Sequence, residues 1–305
     1  MVDYIERDGD WVLRPPGYLH RARMCALILR ADSGTLTRTV CDRFLRGPSG
    51  SKITATPLGF VILLCADIES GYSENKVDRK RGILRERDVG FFVPVRLRTP
   101  TGSFFTTLLP YLYVDDFAAV IIGREIFGFP KVLVDVNFSH NPVVCDVQGQ
   151  VSAELDPSHP VVKRQILVVR EIPGANVQSV QAADDDVQAA TLGMTAALAT
   201  EGLIDNPFAF TSIPMTFLKQ FRHADDPDKA CHQSIVSADA GVTGVRRPRV
   251  HHDAFEVEIP EYEGLCIKQN LGLENAIDGT KFRPRLAFTA ELNFRLPLGR
   301  TLWTA

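Results

Sequence analysis

The 305-residue sequence predicts a β-rich α+β fold built mainly of antiparallel strands. Three observations carry that expectation. Apolar or alternating runs of strand length recur from end to end, as at 22–31, 59–66, 91–98, 104–113 and 161–169. Clusters of turn-forming Gly, Pro, Thr, Asn and Asp punctuate them. Helical periodicity is confined to a few stretches, so strands do not alternate with helices as they would in βαβ units.

Residues 1–20 are polar and hold Pro15-Pro16-Gly17, which reads as an entry arm before a single domain over 21–305. After the 22–31 strand, the spacing of Leu36, Val40, Cys41, Phe44 and Leu45 fits a short amphipathic helix stopped by Gly47-Pro48. The glycine-rich 47–52 lacks phosphate-loop spacing and reads as a turn. Following the 59–66 strand, the charge-dense 70–87 reads as a solvated loop or surface helix, with closure over a site or a subunit contact as the other reading. Strands 91–98 and 104–113 flank the turn tetrad Thr99-Pro100-Thr101-Gly102. Alternating strands follow at 132–138 and 143–151. Asp184-Asp185-Asp186 precede an alanine-rich helix at 187–200; acids there suit the helix dipole better than a metal, since adjacent acids point apart. The apolar 208–221 is strand-like, 223–232 is a hairpin loop, and 265–281 is loop with a short turn. His251-His252 read as surface histidines on opposite sides of a strand. Arg246-Arg247-Pro248-Arg249 is short and basic, able to meet an acidic neighbour in an oligomer. Strands close the chain at 255–259 and 286–294.

Composition excludes several classes. A net charge of −3 and a pI near 6.2 give no electrostatic support for nucleic-acid binding. The six cysteines are widely spaced, with no Cys-x-x-Cys pair, and read as reduced thiols rather than a zinc or disulfide framework. The start has no signal-peptide pattern and no run approaches the ~18 apolar residues of a membrane span. A cytoplasmic enzyme or binding protein is the expectation.

One stretch carries chemistry: Gly123-Arg124-Glu125-Ile126-Phe127-Gly128-Phe129-Pro130-Lys131-Val132-Leu133. Lys131 sits among apolar residues. Either its ammonium reaches solvent over them, as lysines usually do, or burial strips its hydration and lowers its pKa. A neutral amine near pH 7 attacks carbonyl carbon and forms a Schiff base.

Gly-Arg-Glu, four residues, then Pro-Lys resembles the signature of the acetoacetate decarboxylase family, whose lysine after the proline is the Schiff-base nucleophile. The resemblance extends thinly along the chain. Tyr111-Leu112-Tyr113-Val114-Asp115-Asp116 and 118–122 resemble the strand and loop leading into the motif, and Val93-Pro94-Val95 resembles an Ile-Pro-Val strand. Counting back from Pro94, Asp88 falls where the family has a glutamate, with Glu86 two residues away as its substitute. The family's substrate-facing arginine lies before the first strand, where Arg21 and Arg23 flank Ala22 at the aligned position. Two further departures stand out. Val132 replaces a second lysine credited with lowering the nucleophile's pKa, so desolvation would have to do this. Val61 or Ile62 occupies the place of a second glutamate.

The resemblance implies a barrel- or cone-like antiparallel sheet with a few flanking helices, the lysine inside, and a homo-oligomer. It implies a lyase acting on a small keto acid without cofactor or metal, because the iminium is itself the electron sink. Lys131, Asp88 and Glu86 form the expected catalytic set; Arg23, Arg21, Arg124 and Phe129 form the expected substrate-binding set. Arg124 and Glu125 pairing with each other as scaffold is an equal reading. Decarboxylation of a β-keto acid leads, with aldol condensation and dehydration, or a non-catalytic binding barrel, as rivals.

Overall fold

The structure is a computed structural model that describes residues 3–5, 12–45, 52–140, 144–151, 158, 161–205 and 211–305. The expected helix stop at Gly47-Pro48, most of the 47–52 turn, much of the 1–20 arm and the first residues of the 208–221 strand lie outside them. Along the chain the strands are β1 (Gly17–Arg30), β2 (Thr54–Pro57), β3 (Phe60–Ser73), β4 (Leu84–Thr99), β5 (Gly102–Val114), β6 (Lys131–Leu133), β7 (Asp135–His140), β8 (Val144–Val151), β9 (Val162–Glu171), β10 (Asn176–Ser179), β11 (Ser212–Arg222), β12 (Ala230–His252), β13 (Phe255–Glu258), β14 (Lys281–Phe282), β15 (Leu286–Leu296) and β16 (Arg300–Thr304).

The large sheet runs β2-β4-β3-β1-β15-β12-β11-β5-β6, and a further β4–β5 pairing closes β4, β3, β1, β15, β12, β11 and β5 into a ring. All ring pairs are antiparallel except β11–β5, which is parallel and joins only Met215 to Thr107 and Thr216 to Leu108. Threonines reinforce this seam. The Thr106 and Thr216 hydroxyls lie 2.9 Å apart, and Thr107 Oγ1 donates to the Pro214 carbonyl at 2.8 Å. A second sheet, β14-β13-β9-β8-β7, lies outside the ring. The β-rich, barrel-like expectation therefore holds.

Strand alternation assigns two jobs to the same residues' neighbours. On β1, Cys25, Leu27 and Leu29 face outward into a core shared with Val61, Leu63 and Cys65 of β3, Val89, Phe91 and Val93 of β4, and Val147, Leu167, Val169, Phe255 and Val257 of the second sheet. The main apolar core thus lies between the sheets. The other face of each strand, carrying Met24, Ala66 and Phe92, turns into the ring. Among the described residues no helix is long and apolar enough to cross a membrane.

The first helix forms as expected, continuous from Ser33 to Leu45 with a π turn at Thr37–Cys41; Asp32 caps it by accepting from the Thr35 amide. Asp186 caps the Val187–Thr200 helix, accepting from Ala189 N at 3.0 Å, so the aspartate run ends in a cap.

Several expectations are corrected. Residues 118–122 are helical, not strand and loop: Asp116 caps a Phe117–Ile122 helix that runs into a π turn at Gly123–Phe127. A local cap overrides the strand-like look of Val120-Ile121-Ile122. Within 70–87, β3 ends at Ser73 and β4 begins at Leu84, leaving only the middle as loop and 3₁₀ turn. His251 lies on a strand as expected, within the long bulged β12 that also holds the basic 246–249. His251 is buried, with Nε2 2.8 Å from Thr289 Oγ1, rather than a surface group. Residues 267–271 form a short helix, and β16 follows the strand expected to be last.

Removing the Asp186 cap tests this local account. Asp186→Ala should lower unfolding free energy by about 1 kcal/mol, while Asp186→Asn, which keeps an acceptor, should stay near wild type. Urea midpoints at unchanged m-value would check it.

Candidate active site

β4 supplies the acids. Period-two alternation turns Glu86, Asp88, Gly90 and Phe92 into the ring, while Val89 and Phe91 face the outer core. Glu86 and Asp88, weighed as alternatives in the sequence, therefore point into one cavity together. The lysine arrives through two registers. β4–β5 pairs Asp88 with Val114, and β5–β6 pairs Leu112 with Lys131 in parallel.

The motif's glycines make that approach possible. Gly128 has φ +87°, and its backbone crosses Lys219 so closely that a Cβ would lie 2.5 Å from Lys219 Cα. At Gly123 a Cβ would lie 2.8 Å from Lys131 Cδ. The Gly123 carbonyl accepts from the amides of Gly128 and Phe129 at 2.9 and 3.0 Å, folding the loop back on itself.

Lys131 is 7% exposed. Its Nζ donates to Glu86 Oε2 at 2.5 Å, and Asp88 Oδ1 lies 3.9 Å away. Asp88 Oδ1 is buried without a hydrogen-bond partner. The Phe129 ring centroid sits 5.6 Å from Nζ, and that ring packs 4.1 Å from Phe217. Burial pushes the Asp88 carboxyl well above the usual carboxylate range, and the Glu86 charge adds to this. For Lys131, burial acts to lower the pKa, but the Asp88 and Glu86 charges and the Glu86 hydrogen bond outweigh it, so the ammonium is held above its ordinary value. The expectation of a lowered lysine pKa is corrected here: an ion pair at hydrogen-bond distance overcomes the lost hydration.

Around this triad the pocket is apolar, lined by Met24, Ala66, Ile68, Leu112, Phe127 and Met215 among others. Lys131 is the one cation among its described lining residues. The arginines lie elsewhere. β1 is irregular between Leu19 and Ala22, and Arg21 adopts φ +50° there. Ala22 is turned inward, leaving Arg21 to pair with Glu69 at 2.9 Å and Arg23 with Asp67 outside the pocket. Arg124 is exposed and donates to the Lys131 carbonyl at 3.2 Å, while Glu125 accepts from Tyr4 rather than pairing with Arg124. The expected substrate-binding arginines are thus scaffold or surface groups, and Phe129 alone of that set lines the pocket. Sequence reasoning missed the pocket's Tyr18, Tyr72 and Ser73. Tyr18 lies in residues read as an arm, and no local signal marks a tyrosine that meets its neighbours only through strand pairing.

Asp88 also gives a pH signature. An acid whose folded pKa is raised stabilises the fold fully below its unfolded value of about 3.9, and that contribution is lost as pH rises through the folded value. The raised Lys131 contributes fully below about 10.4, so it stays constant across this window. Asp88→Asn removes the acid's titration. Its melting temperature relative to wild type should climb as pH rises from about 4 to 8, a trend that scanning calorimetry across that range would check.

Comparison with known proteins identifies the family and the fold. The acetoacetate decarboxylase (ADC) family profile matches residues 75–233, just over half the chain and the span that holds Glu86, Asp88 and Lys131. No curated protein matches the sequence. Among solved structures, an acetoacetate decarboxylase from Legionella pneumophila shares the fold at 12% identity, with a TM-score of 0.58 over 95% of this chain and 88% of that one. The enduracididine biosynthesis enzyme MppR in complex with pyruvate aligns at 13% identity and TM-score 0.56, covering 95% of this chain and 92% of its own. An acetoacetate decarboxylase-like enzyme from Sphingomonas wittichii RW1 aligns at 11% identity and TM-score 0.52, covering 95% and 94%. Its sequence match and its ring of strands place this chain in the acetoacetate decarboxylase family.

Proposed function

We propose that the protein is a Schiff-base lyase acting on a ketone-bearing acid, with Lys131 as nucleophile, Glu86 as proton acceptor and Asp88 as proton donor. One observation carries this reading: a buried lysine 2.5 Å from one carboxylate and 3.9 Å from a second carboxyl oxygen that has no hydrogen-bond partner.

The chemistry follows from the two acids' different surroundings. Glu86 takes the ammonium proton, and the Nζ lone pair attacks the substrate ketone. The alkoxide so formed takes one proton from the attacking nitrogen to give a carbinolamine. Asp88, its carboxyl pushed toward the protonated form by burial, gives its proton to the carbinolamine hydroxyl, so water leaves and an iminium forms. The Glu86 proton stays available for the next step. In a β-keto acid the bond to the carboxylate then breaks. Its electron pair enters the iminium, carbon dioxide departs, and an enamine remains. A proton from the carboxyl pair quenches the enamine carbon, and water hydrolyses the iminium to release product. The apolar wall supports the carboxylate's loss, since a carboxylate without a cation partner is poorly solvated there and carbon dioxide is not.

A second reading is an aldol condensation, in which the enamine attacks an aldehyde. MppR, a fold neighbour, has been crystallised with the condensation product of pyruvate and imidazole 4-carboxaldehyde. Assembly as a homo-oligomer belongs to the same proposal.

Borohydride reduction in the presence of acetoacetate, and separately pyruvate, followed by peptide mass spectrometry, tests the nucleophile. The adduct should map to Lys131 and vanish in Lys131→Ala, and Glu86→Gln should slow its formation by about 10²–10⁴-fold. Carbon dioxide release in the same tube separates decarboxylation from aldol chemistry. Absence of an adduct with every small keto acid up to about pH 10, near the free-lysine value, would sink the proposal.

A further inference from the structure

The ring holds a second cavity beyond the lysine. The space beside Lys131 is about 150 Å³, below the ~300–1,000 Å³ usual for ligand pockets. A larger one of about 710 Å³ lies further along the same inner face. The two share Met24, Leu64, Phe92 and Ile213 in their walls. Strand alternation shows why they adjoin. β1 presents Met24, then Ala26 and Ile28; β3 presents Ala66, Leu64, then Ile62 and Phe60; β4 presents Glu86, Asp88, Gly90, then Phe92 and Pro94. Each strand thus runs from the lysine end to the far end without changing face. The Val187–Thr200 helix roofs the far end, with Met194 and Leu198 against the strands.

Among the described residues, the far cavity's lining offers a ligand almost nothing polar. Thr106 and Thr107 spend their hydroxyls on Thr216 and the Pro214 carbonyl, and Thr191 and Thr195 on carbonyls of their own helix. Asp205, the acid on its wall, is exposed. Met24, in the shared wall, is an unbranched side chain that adapts its shape readily.

We infer that the substrate is a ketone with a long aliphatic tail: the carbonyl meets Lys131, and the tail passes Met24, Leu64, Phe92 and Ile213 into the apolar cavity under the helix. This rests on the Schiff-base reading of Lys131. A substrate the size of acetoacetate would leave the larger space unused. A hydrocarbon tail gains about fourfold in affinity for each methylene it buries.

Cyanoborohydride trapping of acetone, 2-pentanone and 2-nonanone on Lys131, read by intact mass, tests the inference. The half-saturating ketone concentration should fall at least a hundredfold from acetone to 2-nonanone. Ala290→Phe and Ala26→Leu place bulk in the far cavity; in each, the ratio of 2-nonanone to acetone trapping should collapse toward one. Measuring that ratio within each variant keeps the test valid if a substitution lowers the folded fraction. Trapping of acetone with no gain for longer ketones, or a gain that both variants keep, overturns the tail assignment alone. If no ketone is trapped, the Schiff-base reading falls and the tail assignment falls with it.

Discussion

The buried pair of Lys131 and Glu86 is the constraint the rest of the molecule must satisfy. Taking a charged amine and a carboxylate out of water costs several kcal/mol for each ion, and only close, well-oriented pairing offsets this. The 2.5 Å contact provides that pairing. Holding it needs two strands that are distant in sequence to be fixed against each other, and β5 does so by pairing with β4 on one edge and β6 on the other. The residue after Lys131 plays no part in this arrangement. Val132 follows Lys131 on an extended strand, points the other way and is 47% exposed. The electrostatics of the amine are set across the ring by β4.

The ring meets this demand by separating stability from ligand space. Its outer face packs on the second sheet and forms the larger core, with Phe91, Leu167 and Phe255 fully buried there. A barrel of this kind need not fill its interior to be stable. The inner face can keep cavities, and charged groups within them, at little expense to the apolar packing outside. Residue type follows face: β4 alternates Glu86 and Asp88 inside with Arg87 and Val89 outside, and Arg87 joins Asp67 and Asp115 in an exterior charge ladder.

Much of this was legible in the sequence where the signal is local. The abundance of strands and the helix cap in the aspartate run follow from residue type and spacing, whereas Lys131 and the acids at 86 and 88 were singled out by the family resemblance. Failures came where long-range pairing decides. Arg21 and Arg23 looked ready to grip a carboxylate, but an irregularity in β1 sets which face they occupy, and nothing in their neighbours announces it. The 246–249 stretch, with three arginines around Pro248, does not resemble a strand; β15 and β10 hold it in one. His251 is buried because β12 passes Thr289. In 118–122, read by resemblance as part of the strand and loop leading into the motif, the Asp116 cap settles a helix.

The close passage of Lys131 over Gly123 bears on entropy. A free lysine side chain samples many rotamers, and fixing it costs up to ~2 kcal/mol. Here the Cδ lies so near Gly123 that a methyl group at that position would stand 2.8 Å from it, and the Nζ end is tied to Glu86. Both ends of the aliphatic stem are restrained before any ligand arrives. In the proposed reaction, the loss of freedom that the attacking amine would otherwise suffer at each encounter is met once, when the chain folds. A glycine that contributes no atom to the chemistry thereby gives the lysine its aim.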